Sequence, residues 1–147
     1  MPYATRDNLG YLLAKATQRW NEQLQQGFTE AGFPEVKASY GSVLIPLLEQ
    51  DGLRMGEIAR RARLSKQTMT TLVRLCERDG LVERRPDPAD RRATCVHLTA
   101  KARRFQPVAE RVLAQLEHAT NRSIGAARLA ELRRTLKDLG EIASTVD

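Results

Sequence analysis

Apolar residues in the first third of the chain recur at steps of three and four, the spacing that places side chains on one face of an α-helix. This pattern predicts an amphipathic helix from Asp7 to Gln26 that ends near Gly27. After the break at Gly32-Phe33-Pro34 the pattern returns and predicts a second helix from Glu35 to Gln50. Pro46 lies inside this second helix and predicts a kink or an early end.

Two short helical patterns follow in the middle of the chain. They cover Met55 to Ala62 and Ser65 to Asp79, and the turn at Arg63-Leu64 between them gives the spacing of a helix-turn-helix. Gly80 closes the second of them as a left-handed cap. Two β-compatible runs then flank a loop of Pro, Asp and Arg and predict a hairpin, Leu81 to Arg85 with Ala93 to Leu98. The helix pair and the hairpin together predict one winged unit.

Two further helices are predicted to close the chain. Thr99 caps a long helix that reaches about Asn121 and contains Pro107 as a bend, and the last helix covers Ala126 to Thr145. These helices and the first one are too long to serve only as lids on so small a unit. Their apolar positions need a partner surface, which a second copy of the chain would supply: Leu113, Leu116, Leu129, Leu132, Leu136, Leu139 and Ile142.

The predicted fold class is therefore mainly α with a small β wing, in one domain over residues 1–147. Residues 35–98 form a winged helix-turn-helix lobe, and residues 1–34 and 99–147 form a helical dimerisation region. Apolar residues make up 41% of the chain and charged residues 29%, which excludes collagen-like and low-complexity classes.

Composition also limits the compartment and the cofactors. No apolar run approaches the roughly 18 residues needed to cross a bilayer, and the first residues lack the apolar stretch of a signal peptide. We therefore expect a cytoplasmic protein with no membrane partner. Cys76 and Cys95 are too few for a disulfide framework, and Cys95 with His97 gives only two of the four ligands that zinc usually takes. We expect no metal and no other cofactor.

Positive charge is concentrated in the middle of the chain. Residues 54–104 carry 14 Lys and Arg against 6 Asp and Glu, whereas the remainder carries 10 against 12. A basic surface of this kind attracts a polyanion such as duplex DNA through counterion release. An Arg-rich surface without a partner is the alternative that charge alone leaves open.

The predicted helix from Ser65 to Asp79 separates two kinds of side chain. At about 100° per residue its apolar members form one stripe, Met69, Leu72, Val73 and Cys76. The opposite stripe holds hydrogen-bonding and cationic side chains and no acid: Gln67, Thr71, Arg74 and Arg78. Gln pairs with adenine edges and Arg with guanine edges in the major groove, so this stripe suits DNA, although an ordinary solvated face has similar residues.

The ends of this unit fit the same partner. Ser65 as N-cap leaves backbone amides pointing outward beside Lys66, where a phosphate is favoured. In the predicted hairpin loop, Asp90 stands two residues before Arg92 and is expected to hold its guanidinium by a bidentate pair. An Arg aimed from a stiff loop suits a narrow minor groove.

These residues resemble the winged helix-turn-helix of the MarR family of bacterial transcription regulators, named for multiple antibiotic resistance. The resemblance rests on the segments Gly56-Glu57-Ile58-Ala59, Leu64 to Val73, Gly80 to Arg84, Asp87 to Arg92 and Val96 to Thr99. It implies a homodimer that binds a pseudo-palindromic operator on double-stranded DNA, usually to repress transcription. By position it assigns the major-groove contacts to Ser65, Lys66, Gln67, Thr68, Thr70, Thr71 and Arg74.

The resemblance also assigns the wing and departs from the family in places. Arg92, held by Asp90, matches the minor-groove residue, and Arg84 and Arg91 are expected to meet phosphates. Pro46 interrupts a helix that is usually continuous in the family. The other departures are Ala102 in place of a frequent Gly and Cys76 in place of a frequent Leu.

Many members of that family lose DNA affinity when a small aromatic or phenolic acid binds between the dimer helices and the DNA-binding lobe. The candidates for such an effector site are aromatic, cationic or polar side chains near that crevice, and each is equally at home in a core: Tyr11, Trp20, Ser39, Tyr40 and Arg54. Relatives that sense oxidants use a Cys near the start of the first helix, which this chain lacks.

Two other classes of function were compared with DNA binding. An enzyme would need a nucleophile with its base, a carboxylate pair or a phosphate loop, and no P-loop, HExxH, GxSxG or CxxC pattern occurs. We expect no enzymatic activity. A winged helix can also dock on protein or RNA without operator specificity, but that role favours exposed aromatics and Leu where this chain has Gln, Thr and Arg.

Overall fold

The computed structural model describes residues 4–141. The helices in this part of the chain are α1 (Leu9–Glu30), α2 (Gly41–Glu49), α3 (Met55–Ala62), α4 (Lys66–Arg78), α5 (Ala100–Ile124) and α6 (Ala126–Gly140), with a 3-10 turn at Ala38–Tyr40. The strands are β1 (Leu53–Arg54), β2 (Val82–Pro86) and β3 (Thr94–Leu98). The fold class, mainly α with a small β wing, is confirmed.

The three strands form one antiparallel sheet in the order β1-β3-β2. The hairpin of β2 and β3 pairs Val82 with Leu98 at one end and Pro86 with Thr94 at the other. Strand β1 was not predicted, because two residues are too few to show an alternating pattern. It pairs with β3 on the side away from β2 and joins the wing to the start of α3.

The core of the lobe lies between α2, α3, α4 and the sheet. Its largest fully buried side chains come from each of these elements and from the 3-10 turn, and they include Tyr40, Leu47, Ile58, Met69, Leu81 and Val96. Burying such side chains is the main source of the lobe's stability, at roughly 1.5 to 3 kcal/mol for each large one. The core therefore holds α4 against α2, α3 and the sheet.

Helix α1 does not end near Gly27, as the sequence predicted, but continues to Glu30. Gly27 lies where α1 packs closely on α5, because a Cβ built on it would lie 2.6 Å from Val112 Cγ1. The helix ends instead in a Schellman motif around Gly32, whose φ is +94°. There the Phe33 amide donates to the Phe28 carbonyl at 2.8 Å. Gly27 thus permits a close helix contact and does not break the helix.

The second predicted helix, Glu35 to Gln50, is shorter than expected. The chain is extended at Lys37, and the helical part is the 3-10 turn followed by α2. Pro46 does not end α2, which continues to Glu49. The proline removes one amide donor, but its ring is buried in the lobe, and this packing retains the helix.

Helix α5 runs three residues beyond its predicted end, from Ala100 to Ile124, and includes Pro107. Thr99 is its N-cap, since Thr99 Oγ1 accepts a hydrogen bond from the Ala102 amide at 3.2 Å. Helix α6 is described as far as Gly140, so the predicted end at Thr145 and the apolar residue Ile142 lie outside the described residues.

The carboxyl end of α6 contacts the turn between α3 and α4. Arg63, in the left-handed conformation with a φ of 55°, donates from Nη1 to the Gly140 carbonyl at 2.6 Å. Helix α5 packs on both α1 and α6, and these three helices form a helical region beside the lobe. Over residues 4–141, no helix has both the length and the apolar character needed to span a bilayer.

Candidate nucleic-acid interface

Helix α4 presents the two stripes that its sequence predicted. Met69, Val73 and Cys76 are fully buried, and Leu72 is partly buried against the same core. Burial raises the pKa of the Cys76 thiol to about 12, so this cysteine is an inert core residue, as expected. The opposite face of α4 is open to solvent.

The start of α4 is held by Ser65. Its Oγ accepts a hydrogen bond from the Thr68 amide at 3.1 Å and lies 2.9 Å from Thr68 Oγ1. This is the predicted N-cap. The first turn of α4 is exposed, and the amides there that lack a helical acceptor, other than the capped Thr68 amide, lie beside Lys66.

Two threonines on α4 satisfy their hydroxyls within the helix. Thr70 Oγ1 donates to the Lys66 carbonyl at 2.8 Å, and Thr71 Oγ1 donates to the Gln67 carbonyl at 3.2 Å. Their hydroxyl protons are therefore committed to the helix, so toward a partner each hydroxyl can act only as an acceptor and the methyl group offers an apolar contact.

Three polar side chains of α4 are unpaired, two in its first turn and one in its second half. In the part of the chain that the structure describes, Lys66, Gln67 and Arg74 are exposed and their side chains make no hydrogen bond or ion pair with the protein. Arg78, at the carboxyl end, is paired with Asp79 at 3.1 Å. The face available to a partner thus carries two free cations and a free amide.

The wing presents a second group of cations. Arg92 has a side chain that is 93% exposed, and Arg91 is exposed as well, with no ion pair to any described residue. Arg84 differs, because its Nε lies 3.4 Å from Glu77 Oε2 on α4. A phosphate contact by Arg84, as the resemblance implies, would have to compete with this ion pair.

The expected bidentate pair between Asp90 and Arg92 is wrong in its geometry. One oxygen, Asp90 Oδ1, accepts both the Arg92 backbone amide at 3.1 Å and Arg92 Nε at 3.2 Å. An Asx turn of this kind commits that oxygen to the backbone two residues on, so the guanidinium is held through Nε alone. Its two terminal nitrogens stay open to solvent.

Asp87 is a residue of the wing that the sequence reasoning did not single out. Its side chain is 12% exposed, and its Oδ2 lies 2.6 Å from both Nε and Nη2 of Arg54. Oδ1 accepts the Ala89 amide at 2.8 Å. The pKa of this carboxyl lies below its ordinary value, mainly because of the hydrogen bond from the Ala89 amide and secondly because of Arg54. The sequence signal for half of this arrangement was present, since an Asp two residues before a free amide in a Pro-containing loop favours an Asx turn.

The five effector candidates do not come together. Tyr11 and Ser39 are exposed at separate places, Trp20 lines a groove against α6, and Arg54 is bound to Asp87. Tyr40 is buried, and its hydroxyl donates to Asp79 Oδ2 at 2.5 Å. Burial and this carboxylate raise the pKa of Tyr40 to about 12, so the hydroxyl remains a donor at all ordinary pH values.

An apolar cavity of about 200 Å³ lies instead where α1, α2 and α5 meet. Its walls are aliphatic and aromatic, and Lys37, Gln106 and Glu110 stand among the lining residues as the polar members. Sequence reasoning missed this site because its apolar members lie on three helices that are distant in the chain: Leu24, Phe28, Leu44, Ile45, Leu48, Phe105 and Ala109.

No group of three or more potential metal ligands occurs among residues 4–141. Burial raises the pKa of Cys95, and Asp87 adds to this effect. His97 faces Asp51, with Nδ1 3.9 Å from Oδ2.

Helix α4, the helix pair that it forms with α3, and the hairpin of β2 and β3 define a winged helix-turn-helix protein. A sequence model of the MarR family matches residues 36–93, the segment that contains all of these elements except β3. The chain is 30% identical over 98 residues to the HTH-type transcriptional repressor NicR of Pseudomonas putida. That match covers 67% of this chain and spans 60% of the length of NicR.

A second relative matches over nearly its whole length. The HTH-type transcriptional repressor Rv2887 of Mycobacterium tuberculosis is 29% identical over 135 residues, which cover 90% of this chain and 93% of Rv2887. The solved structure of Rv2887 in complex with p-aminosalicylic acid has a TM-score of 0.63 at 26% identity, over 90% of this chain and 98% of that one.

The repressor CouR, solved bound to a 23-mer DNA duplex, shares the fold with a TM-score of 0.79 at 23% identity. The similarity covers 96% of this chain and 99% of CouR. The chain belongs to the MarR family.

Proposed function

We propose that this protein is a sequence-specific transcriptional repressor that binds a pseudo-palindromic DNA operator as a homodimer and is released by a small aromatic acid. The observation that carries the proposal is the exposed face of α4, where Lys66, Gln67 and Arg74 are unpaired. Polar side chains that are ordered on a rigid helix and lack internal partners are what a nucleic-acid interface requires. The repressors NicR and Rv2887 support the regulatory role, and the DNA complex of CouR supports the ligand.

In this proposal α4 lies in the major groove. Gln67 and Arg74 contact base edges, and the Thr71 methyl contacts a thymine methyl. Ser65, Thr68 and Thr70, at the N-cap and in the first turns of α4, lie beside the same groove. Lys66, next to the helix amino terminus, binds a phosphate.

The wing lies in the adjacent minor groove. Arg92 enters the groove, Asp90 holds it through Nε, and Arg91 contacts the phosphate backbone. Arg84 contributes a phosphate contact only where the duplex displaces Glu77.

The dimer is proposed to form through α1, α5 and α6. Helix α6 has no buried residue among those described, and exposed leucines lie on all three helices: Leu9, Leu12, Leu113, Leu132 and Leu136. Trp20, with Leu13, Leu129 and Leu132, lines an apolar groove between α1, α5 and α6. Large exposed apolar patches are rare on monomers, and a second copy would cover these leucines and the groove.

The effector is proposed to occupy the apolar cavity between α1, α2 and α5. Apolar walls suit an aromatic ring, and Lys37 is a cation among the lining residues that suits a carboxylate. The p-aminosalicylic acid bound by Rv2887 has both features. A ligand that separates α2 from α5 would change the angle between lobe and helical region, and thus the spacing of the two α4 helices on DNA.

Docking on protein or RNA is the alternative. The exposed face of α4 has no aromatic or leucine, and the protein-docking role favours such residues. The face therefore favours duplex DNA.

Selection of genomic fragments by the purified protein, followed by sequencing, tests the proposal. The expected result is enrichment of a sequence with twofold symmetry and half-sites separated by about one helical turn, roughly 34 Å. Fragments retained no better than bulk competitor DNA would refute operator binding, and a monomer in sedimentation at working concentration would refute the dimer.

The effector is tested separately with p-aminosalicylic acid. The compound is expected to lower operator affinity of the parent, and Lys37→Gln is expected to weaken this response while operator binding is kept. Arg19→Gln, which removes an exposed cation from α1 outside the cavity, is the control. Equal responses in parent and Lys37→Gln would refute the role of Lys37.

A further inference from the structure

We propose that Arg54 is a positioning residue for DNA binding: through its ion pair with Asp87 it holds the wing loop so that Arg91 and Arg92 are presented to the duplex in one geometry. The proposal rests on the proposed function, and it adds a residue of β1, outside the hairpin, to the set on which operator affinity depends.

The ion pair connects the two outer strands of the sheet. Arg54 is the last residue of β1 and pairs with Cys95 of the central strand β3. Asp87 directly follows the last residue of β2, on the opposite side of β3. The guanidinium thus ties the edge strand to the base of the wing loop, across the strand between them.

Asp87 is also the residue that closes the loop. Its backbone amide donates to the Ala93 carbonyl at 2.9 Å, and its own carbonyl accepts the Asp90 amide at 3.2 Å. Its Oδ1 accepts the Ala89 amide at 2.8 Å. Three of the contacts that shape this loop therefore depend on where Asp87 sits.

Arg54 decides where Asp87 sits. The carboxylate is nearly buried, and the two contacts of 2.6 Å from Arg54 are its ion pair. A buried carboxylate that loses its cation is strongly destabilised, so the loop would rearrange to bring Asp87 to solvent. The side chains at the tip, Arg91 and Arg92, would then be presented in several geometries.

A loop with several geometries binds DNA more weakly, because only a fraction of the molecules carries the competent one. If that fraction fell to about one-tenth, the apparent affinity would fall about tenfold. The loss would act mainly through Arg92, the residue that enters the minor groove in the proposed complex, and not through a contact of Arg54 with DNA. This distinction matters because the Arg54 side chain is 50% exposed and could in principle reach a phosphate itself.

A double-mutant cycle separates the two routes. The full-length parent, Arg54→Gln, Arg92→Ala and the double variant are titrated with the duplex recovered from the genomic selection. We expect Arg54→Gln to weaken binding about tenfold in the parent and by less than about twofold in the Arg92→Ala background. Arg19→Gln removes one exposed cation from an ion pair with Glu22 on α1 and is the matched control, with unchanged affinity expected.

Hydrogen exchange gives a readout that does not need DNA. In the free protein, the Ala89 and Asp90 amides, which donate to Oδ1 and to the carbonyl of Asp87, are expected to exchange faster in Arg54→Gln than in the parent, whereas the amides that pair β2 with β3 keep their protection. Arg54→Lys, which retains the charge but not the fork of donors, is expected to lie between the two.

Unchanged exchange and unchanged affinity in Arg54→Gln would overturn the proposal. An equal loss of affinity with Arg92 and without it would also overturn it, since Arg54 would then contact DNA directly. If the parent retains no genomic fragment, the proposed function fails, while the exchange measurement still decides whether Arg54 holds the loop.

Discussion

Replacing Gly27 by Ala tests the close contact of α1 with α5. An ideal Cβ at this position lies 2.6 Å from Val112 Cγ1 and 3.1 Å from Cγ2. Carbon atoms in ordinary contact are about 3.5 to 4.0 Å apart, so the helices would have to separate or Val112 would have to move. A helical valine has one strongly preferred rotamer, which leaves separation of the helices as the main response.

The expected magnitude follows from two opposed effects. Overpacking costs about 1 to 3 kcal/mol, whereas the better helix propensity of Ala restores about 1 kcal/mol. We expect a net decrease of up to about 2 kcal/mol in the free energy of unfolding, or a fall in Tm of up to about 8 °C. Gly56→Ala is the control, because a Cβ on Gly56 in α3 meets nothing within 4 Å and should stabilise the protein.

The assay is urea unfolding followed by circular dichroism at one fixed protein concentration, since dimerisation would link stability to concentration. The same substitution in a Val112→Ala background makes the assay more specific for the contact with Val112. In Val112→Ala the clashing methyl groups are absent, so Gly27→Ala should no longer destabilise. The reasoning would be refuted if Gly27→Ala stabilised the parent as much as Gly56→Ala does, or had the same effect in both backgrounds.

Three further outcomes are expected. Arg92→Ala should weaken binding to every duplex by about 1 to 3 kcal/mol, while Gln67→Ala should also relax base preference; anisotropy titrations on operator and scrambled DNA measure both, and unchanged Arg92→Ala affinity at moderate salt would rule out the wing contact. Thr71→Val should keep operator affinity because the hydroxyl is already bound within α4, whereas Thr71→Ser should lower it; the reverse order would mean that the hydroxyl reads the DNA. Tyr40→Phe should reduce the free energy of unfolding by about 1 to 2 kcal/mol, measured by urea titration. The pKa of Asp79 is lowered, chiefly by Arg78 and then by Tyr40, so the contribution of the ionised carboxylate to stability is complete above about pH 4 and is lost as the pH falls further. Tyr40→Phe should therefore lose less free energy of unfolding on acidification than the parent does. An unchanged pH profile would contradict the role of this hydrogen bond.

Local signals were sufficient for the elements that would face DNA. The bounds of α3 and α4 follow from apolar spacing, from Ser65 as N-cap and from the left-handed Gly80, all of which act within a few residues. The apolar and polar stripes of α4 were predicted for the same reason, because a helix wheel needs only the sequence and the helix period.

Features that depend on distant parts of the chain were not predictable in the same way. Gly27 has the sequence signature of a helix end, and only the position of Val112 on α5 shows that it is a contact point. Arg54 and Asp87 are 33 residues apart, and nothing local pairs them. The cavity likewise depends on three helices meeting, so the effector residues chosen from the sequence were side chains of suitable chemistry without a shared location.

At Arg63 a less favourable backbone conformation is accepted together with a long-range side-chain hydrogen bond. Glycine would adopt the left-handed turn after α3 more easily, and such replacements at compatible positions often raise thermal resistance. Glycine, however, has no guanidinium that could donate a hydrogen bond to the carbonyl of Gly140. A substitution of Arg63 by glycine that was chosen for thermal stability alone would therefore remove the hydrogen bond between α6 and the turn that precedes α4.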